Sequence, residues 1–409
     1  MRVVALGATA TLALTAAAAC GSDEADGDGK TITFVAAEYS DKTEPYWQDL
    51  VSRFEKANPG LKVDLQVISW DDIDGHVQNL VLNDKAPDLL NLNKFADFAE
   101  DGLLYKAGDV LPKEVLDDFI PSFAESSKFE GEQYGLPFIA SARLLFYNKD
   151  LFAKAKISEP PKTWDELKEA AKKISDLPGD AIGYGLPLGP EEAQGEFQIW
   201  INSNGGHWVD DQGNWTIDSP ENLETLQFLK SMVDEGLTQP NPAKTDRADV
   251  IEAFAAGRIG MIRGLPQTHN NIADQGNKFE YGIAPNPVAE EGMEPSTLGV
   301  QDYLMAFDNG KGAQETLRKF LTFFYQEENY SKFITTEGFL PTTQSASEAL
   351  SDDEKMKPFV EALPQAKFYP VTDPKWTAVD GAVKQQIGKA VQGTDPKKVL
   401  EQLQKTAEG

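Results

Sequence analysis

The fold is decided by residues 31–68, which read "TITFVAAEYSDKTEPYWQDLVSRFEKANPGLKVDLQVI". The opening run "TITFVAA" is apolar and β-branched, which predicts a strand. Apolar residues then recur at the spacing of one helix face: Trp47, Leu50, Val51 and Phe54. "NPG" at 58–60 ends that helix, and the alternating "LKVDLQVI" predicts a second strand. The stretch therefore predicts a strand, a helix and a strand in succession.

The same alternation continues along the chain. "PDLLNL" at 87–92 predicts a third strand, and "ARLLFYN" at 142–148 begins a second region of this kind. "PPKTWDELKEAAKKI" at 160–174 predicts a helix that starts with a capping box. Alternating strands and helices indicate an α/β protein with open sheets. Trp47 and Trp164 fall on helix faces and are predicted to be core residues.

The N-terminus has the layout of a secretory signal. Residues 1–19 hold one arginine, an apolar run and small residues before Cys20, the single cysteine of the chain. This start resembles a bacterial lipoprotein signal, in which that cysteine is lipidated and becomes the new N-terminus. Residues 20–30 are acidic and nearly free of apolar side chains, which predicts a disordered tether.

Length and charge limit the remaining possibilities. Removal of residues 1–19 leaves 409 − 19 = 390 residues, which is long for one core and predicts two lobes. The chain has 66 acidic and 38 basic residues, and loss of Arg2 gives a net charge of 37 − 66 = −29. Such a surface repels phosphate backbones and anionic lipids, so we expect no nucleic-acid partner and membrane attachment through the N-terminal lipid only.

Signals for catalysis are weak. The three histidines, His76, His207 and His269, lack metal-ligand spacing. "GKT" at 29–31 precedes a strand instead of following one, so it does not predict a phosphate loop. A Gly-x-Ser-x-Gly elbow is missing, and no acidic pair can be singled out for glycoside hydrolysis. The sequence predicts no metal, no cofactor and no catalytic residue.

Aromatic and polar residues cluster where the predicted strands end, which is where open α/β sheets bind ligands. The candidate ligand-binding residues at these junctions are Glu38, Tyr39, Trp70, Asn93, Ser141, Arg143, Glu196, Trp200, Arg263, Gln301 and Asp302. Arg143 lies in an otherwise apolar strand, so it either binds a ligand or pairs with a carboxylate.

Seven segments carry a family resemblance: "FEKANPGLKVDLQV", "KAPDLLNLN", "YGLPFIASARLLFYNKDLF", "PPKTWDELKEAAKKI", "NSNGGHW", "AFAAGRIGMIRG" and "TEGFLPT". In this order they resemble bacterial extracellular solute-binding proteins, the maltose-binding-like class of ABC importers, over nearly all of residues 31–407. The resemblance implies a two-lobed periplasmic-binding-protein-like fold with a central cleft and a hinge of three crossings. The expected lobes are 31–139 plus 286–362 and 140–285 plus 363–409.

The resemblance also implies a function. The protein would be a monomer held by Cys20 at the extracytoplasmic face of the membrane, capturing a carbohydrate by hinge closure and passing it to an ABC permease. Trp376 matches a tryptophan that stacks on sugar rings, whereas Pro266 replaces another, which favours a small saccharide or polyol. A polyamine, peptide or metal-complex ligand and a secreted glycosidase remain alternatives.

Overall fold

The structure is a computed structural model that describes residues 29–210, 212–276, 278–350 and 353–409. Cys20 and most of the expected tether lie outside these ranges. The strands are β1 (Thr31–Glu38), β2 (Lys62–Ser69), β3 (Leu89–Leu92), β4 (Lys128–Phe129), β5 (Glu132–Gln133), β6 (Leu136–Ala142), β7 (Leu144–Asn148), β8 (Ile182–Tyr184), β9 (Ile259–Gly264), β10 (Tyr281–Ala284), β11 (Thr297–Ala306) and β12 (Ala366–Lys367).

Helices surround these strands. They are α1 (Thr43–Ala57), α2 (Ile73–Leu82), α3 (Ala96–Glu100), α4 (Ala107–Val110), α5 (Lys113–Asp118), α6 (Pro121–Glu125), α7 (Lys149–Lys154), α8 (Trp164–Ser175), α9 (Ala193–Asn202), α10 (Pro220–Asp234), α11 (Arg247–Ala255), α12 (Thr268–Asp274), α13 (Gln314–Phe324), α14 (Glu327–Glu337), α15 (Gln344–Ala349), α16 (Lys357–Ala362), α17 (Trp376–Ala390) and α18 (Pro396–Glu408). In the ranges that the structure describes, none of these helices has the length and apolar character needed to cross a bilayer.

The first lobe is built on a sheet with strand order β12-β11-β3-β1-β2, and β6 also pairs with β11. β1 runs parallel to β2 and β3, so the carboxyl ends of these three strands meet at one edge of the sheet. Trp47 of α1 is fully buried and meets Phe34 of β1 edge-to-face with ring centroids 4.8 Å apart. The prediction that Trp47 belongs to the core is confirmed.

The second lobe is built on a sheet with strand order β10-β7-β9-β8. Trp164 opens α8 at the predicted capping box of Thr163 and Glu166. Its ring stacks on Phe228 of α10, with centroids 4.7 Å apart, and is 4% exposed. Trp164 is therefore a core residue of this lobe, as its position on the predicted helix face indicated. The C-terminal helices α17 and α18 pack against α9 and α10 of the same lobe.

The chain changes from one sheet to the other at Arg143, between the end of β6 at Ala142 and the start of β7 at Leu144. Residues 140–142, which we expected in the second lobe, lie in the first sheet because β11 continues to pair with them, Gly299 opposite Ala142. The chain returns to the first sheet between β10 and β11, and leaves it again after β12, which pairs with β11 beyond the expected boundary at 363.

Candidate functional site

A cavity of about 50 Å³ lies between the two lobes at the carboxyl ends of the first-lobe strands. Tyr39, Trp70 and Asn93 line it from the first lobe and follow β1, β2 and β3, the three parallel neighbours. Gln194 and Lys384 are among the side chains that close it from the second lobe. The topology of the first sheet thus brings together residues that lie far apart in the sequence.

Six of the candidate residues line this cavity: Tyr39, Trp70, Asn93, Ser141, Arg143 and Asp302. Glu38 is exposed and lies in a wider groove of about 510 Å³ at the mouth of the cleft. Tyr39 and Trp70 line both the groove and the cavity. The cleft is therefore a narrow closed part that continues into an open groove.

Three of the candidate residues lie inside the second lobe, away from the cavity and in contact with one another. They are Glu196, Trp200 and Arg263. Trp200 is fully buried, and its Nε1 donates to Glu196 Oε1 at 2.7 Å. The Arg263 guanidinium lies 4.6 Å from the centroid of the Trp200 ring. Burial raises the pKa of Glu196, although Arg263 opposes that shift. These side chains pack against one another inside the lobe that carries the cleft wall.

Gln301 and Trp376 are also placed away from the cavity. Gln301 Nε2 donates to the Phe123 carbonyl at 3.0 Å, inside the first lobe. Trp376 is 1% exposed and stacks on Tyr369 at a centroid distance of 5.1 Å. Trp208 and Trp215 complete its surroundings. In this structure Trp376 is an internal residue of an aromatic cluster and presents no face to the cavity.

Several cavity residues escaped the sequence analysis: Glu191, Glu192, Gln194, Arg247, Gln267 and Lys384. The segment "EEAQGEFQIW" carries a usable signal, because it follows a strand and begins with two acidic residues. Glu192 and Glu196 stand four residues apart and share one helix side, but only Glu192, at the start of α9, reaches the cavity. The predicted residue, Glu196, lies one turn further along the helix than the residue that lines the cavity.

Arg143 is the electrostatic centre of the cavity. Its Nη2 lies 2.6 Å from Glu192 Oε1, and its Nη1 donates to Ser141 Oγ at 3.0 Å. Arg247 Nε approaches the other Glu192 oxygen at 2.5 Å. Burial opposes ionisation of Glu192, yet the two arginines hold its pKa below the ordinary value. The expected pairing of Arg143 with a carboxylate is confirmed. Arg143 also lines the cavity, and its contact with a ligand stays a prediction.

Asp302 faces Arg143 from the first lobe. It accepts a hydrogen bond of 2.5 Å from the Tyr39 hydroxyl, which also lies 3.1 Å from Asn91 Oδ1. Burial raises the pKa of Asp302 to about 7, against the effect of the Tyr39 hydrogen bond. The carboxyl group can therefore change its protonation state near neutral pH.

Four charged side chains form an interlobe quartet beside the cavity: Asp74 of α2, Lys94 after β3, and Asp380 and Lys384 of α17. Lys94 Nζ lies 3.0 Å from Asp74 and 3.5 Å from Asp380, and Lys384 Nζ lies 3.4 Å from Asp74 and 3.5 Å from Asp380. Each lobe supplies one cation and one anion. Burial opposes the charge of Asp74, but the two lysines lower its pKa.

The lobes also touch directly. Gln267 Nε2 of the second lobe donates to the Tyr39 carbonyl of the first at 3.1 Å. Gly338 ends α14 at φ 78°, and a Cβ built there would lie 3.0 Å from Asn270 Nδ2 and 3.1 Å from Gln267 Cα. A side chain at this position would meet both a disfavoured backbone conformation and the opposite lobe. With a cavity that holds only a few water molecules, this is a closed arrangement, and we expect a ligand to enter when the lobes separate.

The family can now be stated. A family model described as "Bacterial extracellular solute-binding protein" matches residues 39–331, more than half of the chain, and its span includes strands of both sheets. The chain is a bacterial extracellular solute-binding protein. A protein of Brucella abortus (strain 2308) that is named only as a binding protein is 33% identical over 359 residues, 86% of each chain.

Two further relatives resemble this solute-binding protein. The maltotriose-binding protein of Pyrococcus abyssi is 28% identical over 320 residues, which cover 75% of this chain and 66% of that protein. An ABC transporter solute-binding protein from Thermotoga lettingae, solved with α-D-tagatose bound, superposes with a TM-score of 0.79 at 23% identity. The superposition covers 92% of this chain and all of that one, which confirms the two-lobed α/β fold.

Several buried polar atoms of the solute-binding protein lack hydrogen-bond partners among the described residues. They include Gln194 Oε1 and the Tyr369 hydroxyl. Gln194 lines the cavity, and the Tyr369 hydroxyl lies beside Gly195, the next residue in the sequence. An unpaired buried polar atom costs about 1–3 kcal/mol, so Gln194 Oε1 favours occupation of the cavity by a hydrogen-bonding ligand.

Asp302→Asn should change how the stability of this solute-binding protein depends on pH. The pKa of Asp302 rises from 3.8 to about 7 on folding, so between these values the folded form keeps a proton that the unfolded form has lost. The raised pKa of Asp302 therefore stabilises the folded protein fully below pH 3.8, and this contribution is lost as the pH rises through about 7. The difference is about 4 kcal/mol, from roughly 3 pKa units at about 1.4 kcal/mol each.

Urea unfolding at pH 4, 5.5, 7 and 8 checks this expectation, since the asparagine variant should lack that part of the pH dependence. Asp64→Asn, which changes an exposed carboxylate of β2, is the control and should follow the parent. Identical pH profiles for the parent and Asp302→Asn would contradict the assignment.

Lys94→Met should shift the protein towards the open form. The change leaves Asp380, 1% exposed, without one of its two cations when the lobes are closed, whereas water can solvate that carboxylate when they are apart. We expect a larger radius of gyration in X-ray scattering. Ligand binding should weaken by about 1–3 kcal/mol, because closure around the ligand would then include part of the cost of a broken buried ion pair. Lys113→Met breaks an exposed ion pair within α5 and should change neither quantity. Equal scattering from Lys94→Met and the parent would show that the quartet does not hold the lobes together.

Proposed function

We propose that the protein captures a small saccharide or polyol in the interlobe cleft, closes around it, and delivers it to the permease of an ABC importer. The observation that carries the proposal is the composition of the cavity, in which aromatic rings and hydrogen-bonding side chains from both lobes converge. Relatives named for binding maltotriose and solved with tagatose support the carbohydrate class.

The cavity offers both kinds of surface that a sugar needs. Trp70 is half-buried and packs edge-to-face against Tyr39 at 5.7 Å, which leaves ring surface for the C–H face of a sugar. Asn93, Gln194 and Arg143 supply donors and acceptors suited to hydroxyl groups. The ligand would satisfy the buried oxygen of Gln194 and complete the closed form.

The dimensions favour a small ligand. The closed cavity measures about 50 Å³, and Leu265, next to Pro266, lines one of its walls with an aliphatic side chain. A longer saccharide would have to extend into the groove of about 510 Å³ at the mouth. The groove has fewer aromatic faces than the cavity and many carboxylates.

That groove favours a cationic ligand, such as a polyamine, as a second candidate. Its acidic residues come from both lobes: Glu38, Asp41, Asp71, Glu191, Asp246 and Asp249. Burial, together with the neighbouring Glu191 and Asp71, raises the pKa of Asp246. Within the described ranges, no group of three histidine, cysteine or acidic side chains is arranged to hold a metal ion, so the groove offers less support for a metal-complex ligand.

A thermal-shift screen distinguishes these candidates, because a ligand that binds only the native state raises the melting temperature. Monosaccharides, disaccharides, trisaccharides and polyols form one set, and putrescine, spermidine and short basic peptides form the other. A shift produced only by the second set would overturn the carbohydrate proposal. Chromatography of the incubated oligosaccharides would reveal shortened products if the protein were a glycosidase.

Trp70→Ala should weaken binding of the identified sugar by about 1–3 kcal/mol, the range for stacking on a protein aromatic ring. Trp376→Ala is the contrasting variant, because that ring is buried among Tyr369, Trp208 and Trp215. Its loss should lower the free energy of unfolding by about 3–5 kcal/mol. Titration calorimetry on folded samples and urea unfolding measure the two effects. A Trp70→Ala variant with the affinity of the parent would remove this ring from the site.

We also propose that Cys20 is lipidated and holds the protein at the outer face of the membrane. The support is the signal-like run before it and the acidic segment after it. Cys20→Ala should release the protein from membrane pellets into the culture fluid, and Ser22→Ala should leave it bound. Full retention of Cys20→Ala in the pellet would place the attachment elsewhere.

A further inference from the structure

A second cavity, here called the hinge pocket, lies where the connections between the lobes meet. It measures about 360 Å³, within the range of about 300–1,000 Å³ that is typical of small-molecule sites. Its lining comes from the start of β7, the end of β10, the connection from β10 to β11, and the segment around α16. The pocket therefore contacts elements of both lobes at once.

The hinge pocket lies on the opposite side of the crossing chain from the ligand cleft. Ser141 and Arg143 line the cleft cavity, whereas Leu144, the next residue, lines the hinge pocket. Side chains of an extended segment alternate between its two sides, which accounts for this division. When two lobes rotate about such a segment, a gap that closes on one side widens on the other.

The pocket wall is joined to Arg143 by hydrogen bonds. Asn286 Nδ2 donates to the Arg143 carbonyl at 2.8 Å and to the Ser296 carbonyl at 3.0 Å. Thr297 Oγ1 donates to the same Arg143 carbonyl at 2.6 Å and accepts from the Arg143 amide at 2.8 Å. A displacement of Asn286 or Thr297 is therefore transmitted to the residue that lines the ligand cavity.

The chemistry of the pocket selects a class of ligand. Leu144, Ile283 and Pro358 are among its apolar walls, and the carboxylates of Glu294 and Glu361 stand at its rim. Asn286 is 2% exposed, and its Oδ1 has no hydrogen-bond partner in the part of the chain that the structure describes. Ser296 Oγ is likewise buried and unpaired there. None of the described residues that line the pocket is basic.

We propose that the hinge pocket binds a small organic cation, an ammonium or guanidinium group on a short apolar body, and that this binding favours the closed form. The apolar body of the ligand packs against the apolar walls of the pocket. Its N–H groups donate to the carboxylates of Glu294 and Glu361 and to Asn286 Oδ1. The pocket is present in the closed arrangement, so an occupant opposes the rotation that would open the cleft. A ligand that prefers one of two states shifts their populations towards it.

Benzylammonium chloride is the probe, and benzyl alcohol is the uncharged control with the same ring. Benzylammonium should raise the melting temperature of the protein and reduce its radius of gyration in X-ray scattering, whereas benzyl alcohol at equal concentration should do neither. The double variant Glu294→Gln and Glu361→Gln should lose both responses. Glu290→Gln, which changes a nearby exposed carboxylate outside the pocket, should retain them.

The coupling to the cleft rests on the proposed function and is measured separately. Saturating benzylammonium should lower the dissociation constant of the identified sugar by about fivefold, at the small end of allosteric effects. The sugar should tighten benzylammonium binding by the same factor. Ala362→Trp, which fills the pocket, should remove the response to benzylammonium while the protein stays folded.

The outcomes separate the two proposals. A melting shift with benzylammonium that survives in the double glutamine variant would overturn the hinge site. A hinge response in a protein that binds no sugar in the screen would reject the carbohydrate proposal and leave the hinge site standing. An unchanged sugar dissociation constant at saturating benzylammonium would overturn the coupling.

Discussion

The ion pair between Arg143 and Glu192, 2.6 Å long, joins the residue at which the chain changes sheets to the N-cap residue of α9. The surrounding structure fixes both the backbone and the side chain of Arg143. The backbone of Arg143 is fixed by Thr297 and Asn286, and its guanidinium is directed into the cleft. A buried guanidinium without a carboxylate would be very costly, so the positions of β6, β7 and α9 all depend on this contact.

The sequence was most informative where a pattern of residues is compatible with one secondary structure or one strand order only. The helix predicted from the spacing of Trp47, Leu50, Val51 and Phe54 is α1. The parallel order of β1, β2 and β3 placed Tyr39, Trp70 and Asn93 at one edge. Residues whose role depends on packing were harder to assign. Glu192 and Glu196 differ by one helical turn, and Trp376 matches a sugar-binding motif but lies within an aromatic cluster. Such distinctions depend on how helices dock, and one chain's residue pattern does not contain that information.

Polar contacts join the two lobes at the cleft. Gln267 binds the Tyr39 carbonyl, and the quartet sets two lysines against two aspartates. Water can satisfy these groups when the lobes part, whereas an extensive apolar interface would resist separation. The chain carries 38 basic against 66 acidic residues, and the quartet matches two anions with two cations, so it adds no net charge where the two acidic lobes meet.

Gly338 suggests how affinity could be changed without changing what is recognised. The residue lies at the end of α14 against Gln267 and Asn270 of the opposite lobe, and it is absent from the lining of the ligand cavity. Its missing side chain sets how closely the lobes can approach. A family of receptors with one specificity and graded sensitivity could therefore be obtained at this single position, which is what a biosensor calibrated for different concentration ranges requires.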